Sequence, residues 1–530
     1  MEKEEALLAF LESKGITGRL LTEDVRKGLH DGRPSFEVDH RIDFGEEALL
    51  LQLHFKLDFQ FDTYRLSGYK ATHRDAVVIE HRTINGVDTK KLEGRMKIEH
   101  WDAYFREGGD TLLDEQAIKY IAETIELLNK LSDGQNFDGI KIQQELKYKY
   151  WPEHAYDLPD RADMKWYHEQ SREFSASEYG LCHPTLAFHI TSGRFDELVD
   201  LLRPIGLESF PGVDIHSTIE SFLEKDVNSF TLSCPHNDPD GYTWIEVPVA
   251  KVDGSYQASH YKVSFTPYAE IPPLTYQGVD TLTLSRMMNS INWNNPSELI
   301  EFPKDGLPVF SEKFLEIERQ LGVLSGHPEG RVASNLLQLK YWNNTTYFND
   351  NIAASAWEYF KTLPKREDQF NRETEALVAR NLLCGRAVQL GNILKGAKDP
   401  EEWVRLDLEH KNAVFGYRFI QVAAYTEADL RQTLSLLPFA PQEGLSLISK
   451  LKKGSLTPAT LNNGQTVLVL ANPEERRVDL FSPGRKPILV NLGFSPDWAP
   501  ELPTAPARHQ EHRPLGKRSA TKKKNKGKGI

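Results

Sequence analysis

Residues 86–101 read GVDTKKLEGRMKIEHW and residues 278–293 read GVDTLTLSRMMNSINW, so one motif with Leu, Met and Trp at fixed spacing occurs twice. The similarity extends upstream, because residues 62–101 and 254–293 are identical at 13 of 40 positions without a gap. The offset of 192 residues is much longer than the period of about 20–50 residues that is typical of solenoid repeats. The chain is therefore predicted to contain two copies of one domain-sized unit.

The tryptophans extend the repeat downstream of the motif. Six of the nine tryptophans form three pairs at an offset of 191 or 192 residues. These pairs are Trp101 with Trp293, Trp151 with Trp342, and Trp166 with Trp357. The second pair belongs to a repeated Lys-Tyr-Trp triplet, which begins at Lys149 and again at Lys340.

A chain of 530 residues is too long for one hydrophobic core, so several domains are expected. A partial third copy is predicted from a helix at Gly444–Leu451 and strands at Thr466–Ala471 and Arg477–Phe481. The predicted regions are repeat unit 1 (1–198), repeat unit 2 (199–428), a partial third unit of helices plus a β-hairpin (429–495), and a Pro-rich linker with a disordered Lys-rich tail (496–530).

Hydrophobic periodicity indicates the fold class. Apolar residues alternate with polar ones from Leu49 to Phe61, which predicts a long strand with one buried face. After the motif, Ile118, Ile121 and Leu128 follow helical spacing. Each unit is thus predicted to be an antiparallel β-meander followed by several helices, an α+β fold.

The repeated motif has a structural and a catalytic interpretation. Asp88 and Asp280 are candidate catalytic carboxylates, but an Asp before a helical segment is also a preferred N-cap. We favour the structural interpretation, in which Leu92, Met96 and Trp101 pack the capped helix on the sheet. The residues assigned to this structural motif are Gly86, Asp88, Thr89, Trp101, Gly278, Asp280, Thr281 and Trp293.

Two other groups of residues suggest binding chemistry. Cys182-His183 and Cys234-Pro235-His236 supply zinc-ligand types without the usual spacing, so no metal site is predicted. Tyr64 and Tyr69, which recur as Tyr256 and Tyr261, are candidates for stacking on nucleic-acid bases. On a regular strand, however, an odd separation places Tyr64 and Tyr69 on opposite faces, so core packing is the preferred interpretation.

No catalytic or cofactor motif is recognised in the sequence, and no cofactor is predicted. The sequence has no phosphate-binding loop, dinucleotide fingerprint, nucleophile elbow or HExxH pattern. No apolar run is long enough for a membrane helix, and the first residues lack a signal-peptide pattern. Three cysteines without a CxxC pattern fit a reducing compartment, so a cytoplasmic location is expected.

The charge is distributed unequally. Residues 508–530 carry a net charge of +8, which leaves −21 for the preceding 507 residues. A flexible polycation binds nucleic acid without sequence preference by releasing counterions; the alternative is a tail that shields the acidic body. The candidate nucleic-acid-binding residues are Lys517, Arg518, Lys522, Lys523, Lys524, Lys526 and Lys528.

The run Ile84–Thr89, together with Leu92, Arg95 and Trp101 and the Lys-rich end, resembles a loosely defined group of Bacteroidetes proteins. These proteins have no assigned function and are often associated with conjugative or mobilisable elements. The resemblance implies a cytoplasmic accessory role beside DNA-handling machinery. The group supplies no catalytic residues to carry over.

The sequence favours a non-enzymatic interaction or scaffold protein with an unidentified protein partner. Two copies of one unit provide two similar surfaces, which suits bivalent binding. The tail adds a tether to nucleic acid. The alternative is an enzyme with its active site at the junction between the two repeat units, where pockets often form.

Overall fold

The computed structural model of the protein describes residues 2–97, 101–106, 113–152, 155, 169–176, 181–210, 213–301, 303, 309–394, 396–414, 416–422, 425–439, 441–483 and 485–488. The structure contains 41% helix and 30% strand in several small antiparallel sheets, which confirms the predicted α+β class. It divides into two compact units. The first extends to Arg386 and includes 390–400 and 405–420; the second comprises 387–389, 401–404 and the residues from Gln421 onward.

The first compact unit contains two similar halves. The first half, residues 2–202, consists of α1 (Glu2–Ser13), α2 (Arg19–His30), β1 (Ser35–Phe44), β2 (Glu47–Asp58), β3 (Thr63–Arg74), β4 (Thr83–Ile84), β5 (Val87–Asp88), α3 (Thr89–Met96), α4 (Trp101–Tyr104), α5 (Glu115–Lys130), α6 (Phe137–Tyr150), β6 (Glu169–Ser175), α7 (Pro184–Thr191) and α8 (Arg194–Leu202).

The second half, residues 215–383, has a similar order of elements, with one helix before its sheet instead of two and with additional short strands. It consists of α9 (Ile215–Leu223), β7 (Ser229–Asp238), β8 (Gly241–Val252), β9 (Ser255–Gln257), β10 (His260–Pro267), β11 (Thr275–Tyr276), β12 (Val279–Asp280), α10 (Thr281–Asn289), β13 (Ile300–Glu301), β14 (Val309–Phe310), α11 (Glu312–Ser325), α12 (Pro328–Trp342), α13 (Ala354–Thr362), β15 (Arg366–Asn371) and α14 (Ala376–Leu383).

Each half has an antiparallel sheet in which four strands follow the same order, and the sheet of the second half has a fifth strand. The orders are β1-β2-β3-β6 in the first half and β7-β8-β10-β15 in the second, where β9 also pairs with β8. The fourth strand of each sheet follows the helices in sequence, so a helical insertion separates the third and fourth strands. The halves are alike in topology; their origin by duplication stays an inference from the sequence.

The sheet and the helical insertion of the first half have separate cores. Leu51, Leu53 and Tyr69 lie in the core of the sheet. Leu92, Met96 and Trp101 lie in the core of the insertion. The prediction that these three residues pack their helix on the sheet is therefore wrong, because α3 packs against α5 and α6 instead.

The alternating strand is shorter than its pattern predicts. Leu49, Leu51, Leu53 and Phe55 are buried, but β2 ends at Asp58. Phe59 and Phe61 are exposed in the turn before β3. Alternation alone cannot place the end of a strand when the turn continues the same pattern.

The second compact unit has its own core of helices and strands. The elements after α14 are β16 (Val388–Gln389), β17 (Trp403–Asn412), β18 (Gly416–Gln421), α15 (Glu427–Ser435), α16 (Pro441–Lys452), β19 (Thr457–Thr460), β20 (Thr466–Asn472), β21 (Arg477–Phe481) and β22 (Pro487–Ile488). Most of β17 and β18, at residues 405–420, belongs to the first unit. The last four strands form one antiparallel sheet in chain order.

The helix and both strands predicted between residues 444 and 482 lie within α16, β20 and β21. Their relation to the repeat, and the predicted unit boundaries at 198, 428 and 495, stay predictions. Trp166 lies outside the described residues. In the part of the chain that the structure describes, no helix has the length and apolar character needed to cross a membrane.

A close backbone contact recurs in both insertions. Gly139 is the third residue of α6, and Gly330 is the third residue of α12. A Cβ atom at either position would overlap the backbone carbonyl oxygen of Leu131 or Leu324, at the end of the preceding helix. The absence of a side chain at these glycines therefore allows the two helices to approach each other.

We expect Gly330→Ala to lower the free energy of unfolding by about 2 kcal/mol, because the added methyl group displaces backbone in a packed core. Gly139→Ala should act in the same direction. Gly322 of α11, which has no neighbouring atom within 4 Å of an added Cβ, is the matched control, and Gly322→Ala should raise stability by about 0.5–1 kcal/mol. Urea unfolding checks this, and equal effects at Gly322 and Gly330 would contradict it.

The two halves of the first compact unit meet around His189 of α7. This side chain is fully buried, and its Nε2 lies 3.3 Å from Asp226 Oδ1. The ring also lies 6.2 Å from that of Tyr256 on β9. Burial lowers the pKa of His189 from 6.5 to about 4, although the charge of Asp226 acts in the opposite direction.

Stability should therefore decline on acidification between the two pKa values of His189. Below its ordinary value of 6.5, the unfolded chain binds a proton that the folded chain excludes, and His189 contributes about 2 kcal/mol to the decline from pH 7 to pH 5. In His189→Gln, urea unfolding at the two pH values should show a decline smaller by this amount. The control variant is His216→Gln, because 56% of the His216 side chain is exposed. A decline in stability in His189→Gln as large as that of the wild type would refute the assignment.

Candidate functional site

Each half of the first compact unit has a cleft between its sheet and its helical insertion. Cleft 1, of about 700 Å³, lies between the β1–β2 turn and the ends of α3 and α6. Cleft 2, of about 990 Å³, lies between the end of β7 and the ends of α10 and α12. Lys149 and Tyr150 line cleft 1, and Lys340 and Tyr341 line cleft 2, so the repeated Lys-Tyr-Trp triplet contributes to both.

The lysine of cleft 1 is fully bonded within the protein. The Nζ of Lys149 lies 2.6 Å from Glu46 Oε2 and 3.0 Å from Glu93 Oε1. It also donates to the carbonyl oxygen of Val77 at 3.0 Å. An ammonium group has three N–H donors, so these three acceptors use its whole capacity. Tyr150 Oη donates to the same Glu93 carboxylate at 2.9 Å.

The charges of cleft 1 compensate one another. Burial disfavours the ammonium, but the hydrogen bonds to Glu46 and Glu93 outweigh it and raise the pKa of Lys149. Hydrogen bonds from Lys149 and Lys97 lower the pKa of Glu46. Cleft 1 is therefore an internally neutralised ion network, a structure that stabilises itself without a ligand.

The corresponding carboxylates are missing from the lysine of cleft 2. In the ungapped alignment Ser285 replaces Glu93. The Ser285 hydroxyl lies 3.2 Å from Tyr341 Oη, and this phenol donates to the Ser285 carbonyl oxygen at 3.1 Å. The serine thus keeps the contact with the tyrosine but provides no charge for Lys340.

The position of Glu46, in the turn between the first two strands, is taken by Asp240 in the second half. The Asp240 carboxylate contacts two guanidinium groups, that of Arg380 at 3.1 Å and that of Arg386. Asp238 also contacts Arg380. The acidic groups at this turn are therefore directed to arginines.

Lys340 consequently has a different electrostatic environment from Lys149. Within the described chain, no carboxylate forms an ion pair with the half-buried Lys340 ammonium. Burial lowers the pKa of Lys340, and the charges of Asp238 and Glu270 offset this effect only in part. A perturbed lysine that lines a cleft is a candidate functional residue on physical grounds.

Asparagines are the most frequent residues in the remaining wall of cleft 2, which also contains apolar side chains and the carboxylates of Asp214, Asp238 and Asp350. Asn237 donates to the carbonyl oxygens of Leu339 at 3.2 Å and Lys340 at 3.1 Å, which fixes the end of α12 to β7. The other asparagines that line the cleft are Asn289, Asn292, Asn294, Asn343, Asn344 and Asn349. Side-chain amides both donate and accept hydrogen bonds, so this wall suits a ligand with many polar groups.

The repeated motif lies at the entrance to each helical insertion. Asp88 Oδ1 accepts the backbone N–H groups of Lys90 and Lys91, at 3.0 and 3.2 Å. Asp280 Oδ1 accepts that of Thr283 at 2.7 Å. Both aspartates are N-caps, which satisfy free donors of the helix.

The other motif residues complete the same local structure. Gly86 and Gly278 have φ values of 80° and 81°, a left-handed conformation suited to a tight hairpin turn. Thr89 accepts the backbone N–H of Arg82 at 2.8 Å, and Thr281 accepts that of Leu274 at 3.0 Å. Trp101 and Trp293 each donate from Nε1 to a carbonyl oxygen five residues earlier, both at 2.8 Å. Trp101 and Trp293 also line the two clefts.

The prediction that Tyr64 and Tyr69 lie on opposite faces is wrong. The register of β2 with β3 shifts between His54 and Phe55. The resulting β-bulge reverses the alternation, so Tyr64 and Tyr69 both contact the core of the sheet. Because Tyr69 and its counterpart Tyr261 are buried, they provide no exposed surface for stacking bases.

The cysteine–histidine pairs have structural surroundings. His183 accepts the backbone N–H of Thr185 at 3.2 Å and caps α7. Burial raises the pKa of Cys182 and that of Cys234 to about 11. Over the described residues, no three His, Cys, Asp or Glu side chains form a group that could hold a metal ion. The predicted nucleic-acid-binding residues between 517 and 528 lie outside those that the structure describes.

Sequence reasoning did not identify Lys340 as a candidate, although a signal was present. The repeated Lys-Tyr-Trp triplet drew attention to what the copies share. The informative comparison was Glu93 against Ser285, a position at which the copies differ in charge. Only the structure shows that this position faces the lysine.

Comparison of the chain with protein-family models, with curated proteins and with solved structures finds no match.

Proposed function

We propose that this protein is a non-enzymatic interaction or scaffold protein that binds its partner through cleft 2. The observation that supports this proposal is the contrast between two lysines in equivalent positions. Lys149 is saturated by internal partners, whereas Lys340 has no described ion-pair partner. The Lys340 ammonium does lie over the Tyr341 ring, 6.0 Å from its centroid. A half-buried charge without an ion-pair partner nevertheless costs folding free energy, and a ligand carboxylate that pairs with it lowers that cost.

The proposed ligand is an extended polar segment of a protein partner. At about 990 Å³, cleft 2 is at the upper end of the size range of small-molecule sites, but such sites are mainly apolar. The lining of cleft 2 includes seven asparagines, whose amides can form hydrogen bonds with the N–H and C=O groups of a peptide.

The two clefts have equivalent positions but different chemistry. The sequence predicts two similar binding surfaces, and we now propose one specific site, in the second half. Cleft 1 would have a structural role, because its ion network already joins the turn at Glu46 to the helices that carry Glu93 and Lys149.

The tail adds a second proposed activity. Its seven candidate cations between residues 517 and 528 would tether the protein to nucleic acid without sequence preference. Together with the resemblance to the Bacteroidetes group, this supports a cytoplasmic accessory role beside DNA-handling machinery. The acidic body would take no part in this contact, because like charges repel.

The enzyme alternative stays a prediction. It places an active site at the junction between the repeat units, where His189, Asp226 and Tyr256 lie against one another. None of these three residues lines cleft 1 or cleft 2. We therefore give preference to the binding function.

A peptide-display selection on the immobilised full-length protein tests the binding site. Asn289 is exposed at the rim of cleft 2, and its counterpart at cleft 1 is Lys97. Peptides that the wild type selects should bind Asn289→Trp about tenfold more weakly or worse, because the indole obstructs cleft 2.

Lys97→Trp is the matched control for this selection and should leave peptide affinity unchanged, which isothermal titration calorimetry can measure. If selected peptides bind both variants like the wild type, the binding site is elsewhere. Loss of binding in Lys97→Trp alone would assign the site to cleft 1 instead.

A second experiment tests the tail with the full-length chain. We expect wild-type protein to bind labelled DNA and RNA with a log–log salt slope of up to about −6 on duplex DNA, for seven released counterions. Binding should be lost when the seven candidate residues of the tail are replaced by Gln. Binding that survives would place the contact on the body, and no binding by either protein would favour shielding of the acidic body.

A further inference from the structure

Lys149 and Lys340 have the same place in two similar frameworks, so the first half shows what surrounds this lysine when its charge is satisfied. Two carboxylates and one carbonyl oxygen contact the ammonium of Lys149. In the second half, one carboxylate is replaced by Ser285 and the other is represented by Asp240, which contacts arginines. The first half thus contains an internal example of the chemistry that Lys340 lacks.

We infer that Lys340 binds a carboxylate of the ligand, in the position that the Glu93 side chain occupies in the first half. This inference rests on the proposed function of cleft 2 and names the chemical group that the cleft recognises. The source of the carboxylate is either an acidic side chain or the carboxyl terminus of a peptide. In both cases a single anionic group lies against the ammonium while amides bind the polar remainder.

Neighbouring charges favour one carboxylate over a polyanion. Asp214, Asp238 and Asp350 also line cleft 2. These carboxylates would repel a ligand with several negative charges, such as a phosphorylated segment or nucleic acid. One carboxylate close to Lys340 gains a charge-assisted hydrogen bond and keeps the rest of the ligand neutral near the acidic walls.

A substitution at Ser285 can test the comparison between Lys340 and Lys149. Its hydroxyl lies 3.2 Å from Tyr341 Oη, as the Glu93 carboxylate lies 2.9 Å from Tyr150 Oη. A glutamate at position 285 can therefore extend along the same path as Glu93 and reach Lys340. Ser285→Glu is expected to supply internally the carboxylate that we assign to the ligand.

Competitive acetylation of the full-length protein measures the protonation of Lys149 and Lys340 in one experiment. Trace acetic anhydride reacts with the free amine, and mass spectrometry of the digest gives the extent of reaction at each lysine across a pH series. Without ligand, Lys340 should react with a midpoint pH below that of Lys149, because burial lowers the pKa of Lys340 and the two glutamates raise that of Lys149.

The probes are N-acetylglutamic acid α-amide, for an acidic side chain, and N-acetyldiglycine, for a chain terminus. The effective probe should raise the midpoint of Lys340 by about one unit, a roughly tenfold drop in free amine below that pH, since a nearby opposite charge favours the ammonium. Lys149 should not respond. N-acetylglutamine amide and sodium chloride at equal ionic strength are the controls and should have no effect on Lys340.

Ser285→Glu should reproduce the probe effect without a probe and abolish any further response. The inference is overturned if neither carboxylate protects Lys340, or if chloride protects it equally. If a carboxylate probe protects Lys340 from acetylation but no selected peptide binds at cleft 2, the carboxylate site is retained and the proposed peptide ligand is refuted. If selected peptides bind at cleft 2 but no carboxylate probe protects Lys340 from acetylation, the proposed function is retained and the role of Lys340 is refuted.

Discussion

The hydrogen bonds of one threonine and one aspartate determine where each helical insertion leaves its sheet. Thr89 holds the chain entering the β4–β5 hairpin through the backbone N–H of Arg82, and Asp88 caps the helix that follows. Thr281 and Asp280 do the same in the second half. A tight hairpin joined directly to a capped helix allows little variation in direction. The helices therefore pack on one another, and a cleft remains between them and the end of the first strand.

The two halves share this framework but differ in the interactions that hold the helical insertion against the sheet. In the first half, ion pairs join the turn at Glu46 to the helices through Lys149. In the second half, Asn237 forms hydrogen bonds with the last carbonyl oxygens of α12, and Tyr268 donates to the amide of Asn237 at 2.7 Å. Neutral hydrogen bonds thus replace the ionic link. Because the framework of the second half does not need the charge of Lys340, that charge is available for binding.

Local patterns in the sequence predict much of the fold, and the failures have physical causes. Offsets between repeated residues and the apolar periodicities identify the α+β class and several elements, among them β2, α5, α16, β20 and β21. The bulge that places Tyr64 and Tyr69 on one face adds a single residue to a strand, which no periodicity reveals. The ion pair between Lys149 and Glu46 joins residues that are 103 positions apart in the sequence. Such a pair can be recognised only from the positions of the two side chains in the folded chain. Lys340 becomes a candidate only when the surroundings of both lysines can be compared.

The net charge of the chain indicates that the recognition we propose for cleft 2 would act only at short range. The first 507 residues carry −21, so the long-range field of the body repels anions, and salt screens this field beyond about 8–10 Å. A carboxylate is attracted only once it is close to Lys340, where burial reduces screening. Such a site discriminates by shape and hydrogen bonding before charge can contribute. This order of events disfavours free polyanions and favours a neutral polar segment that carries one acidic group. The nucleic-acid contact that we propose for residues 517–528 would be independent of this recognition.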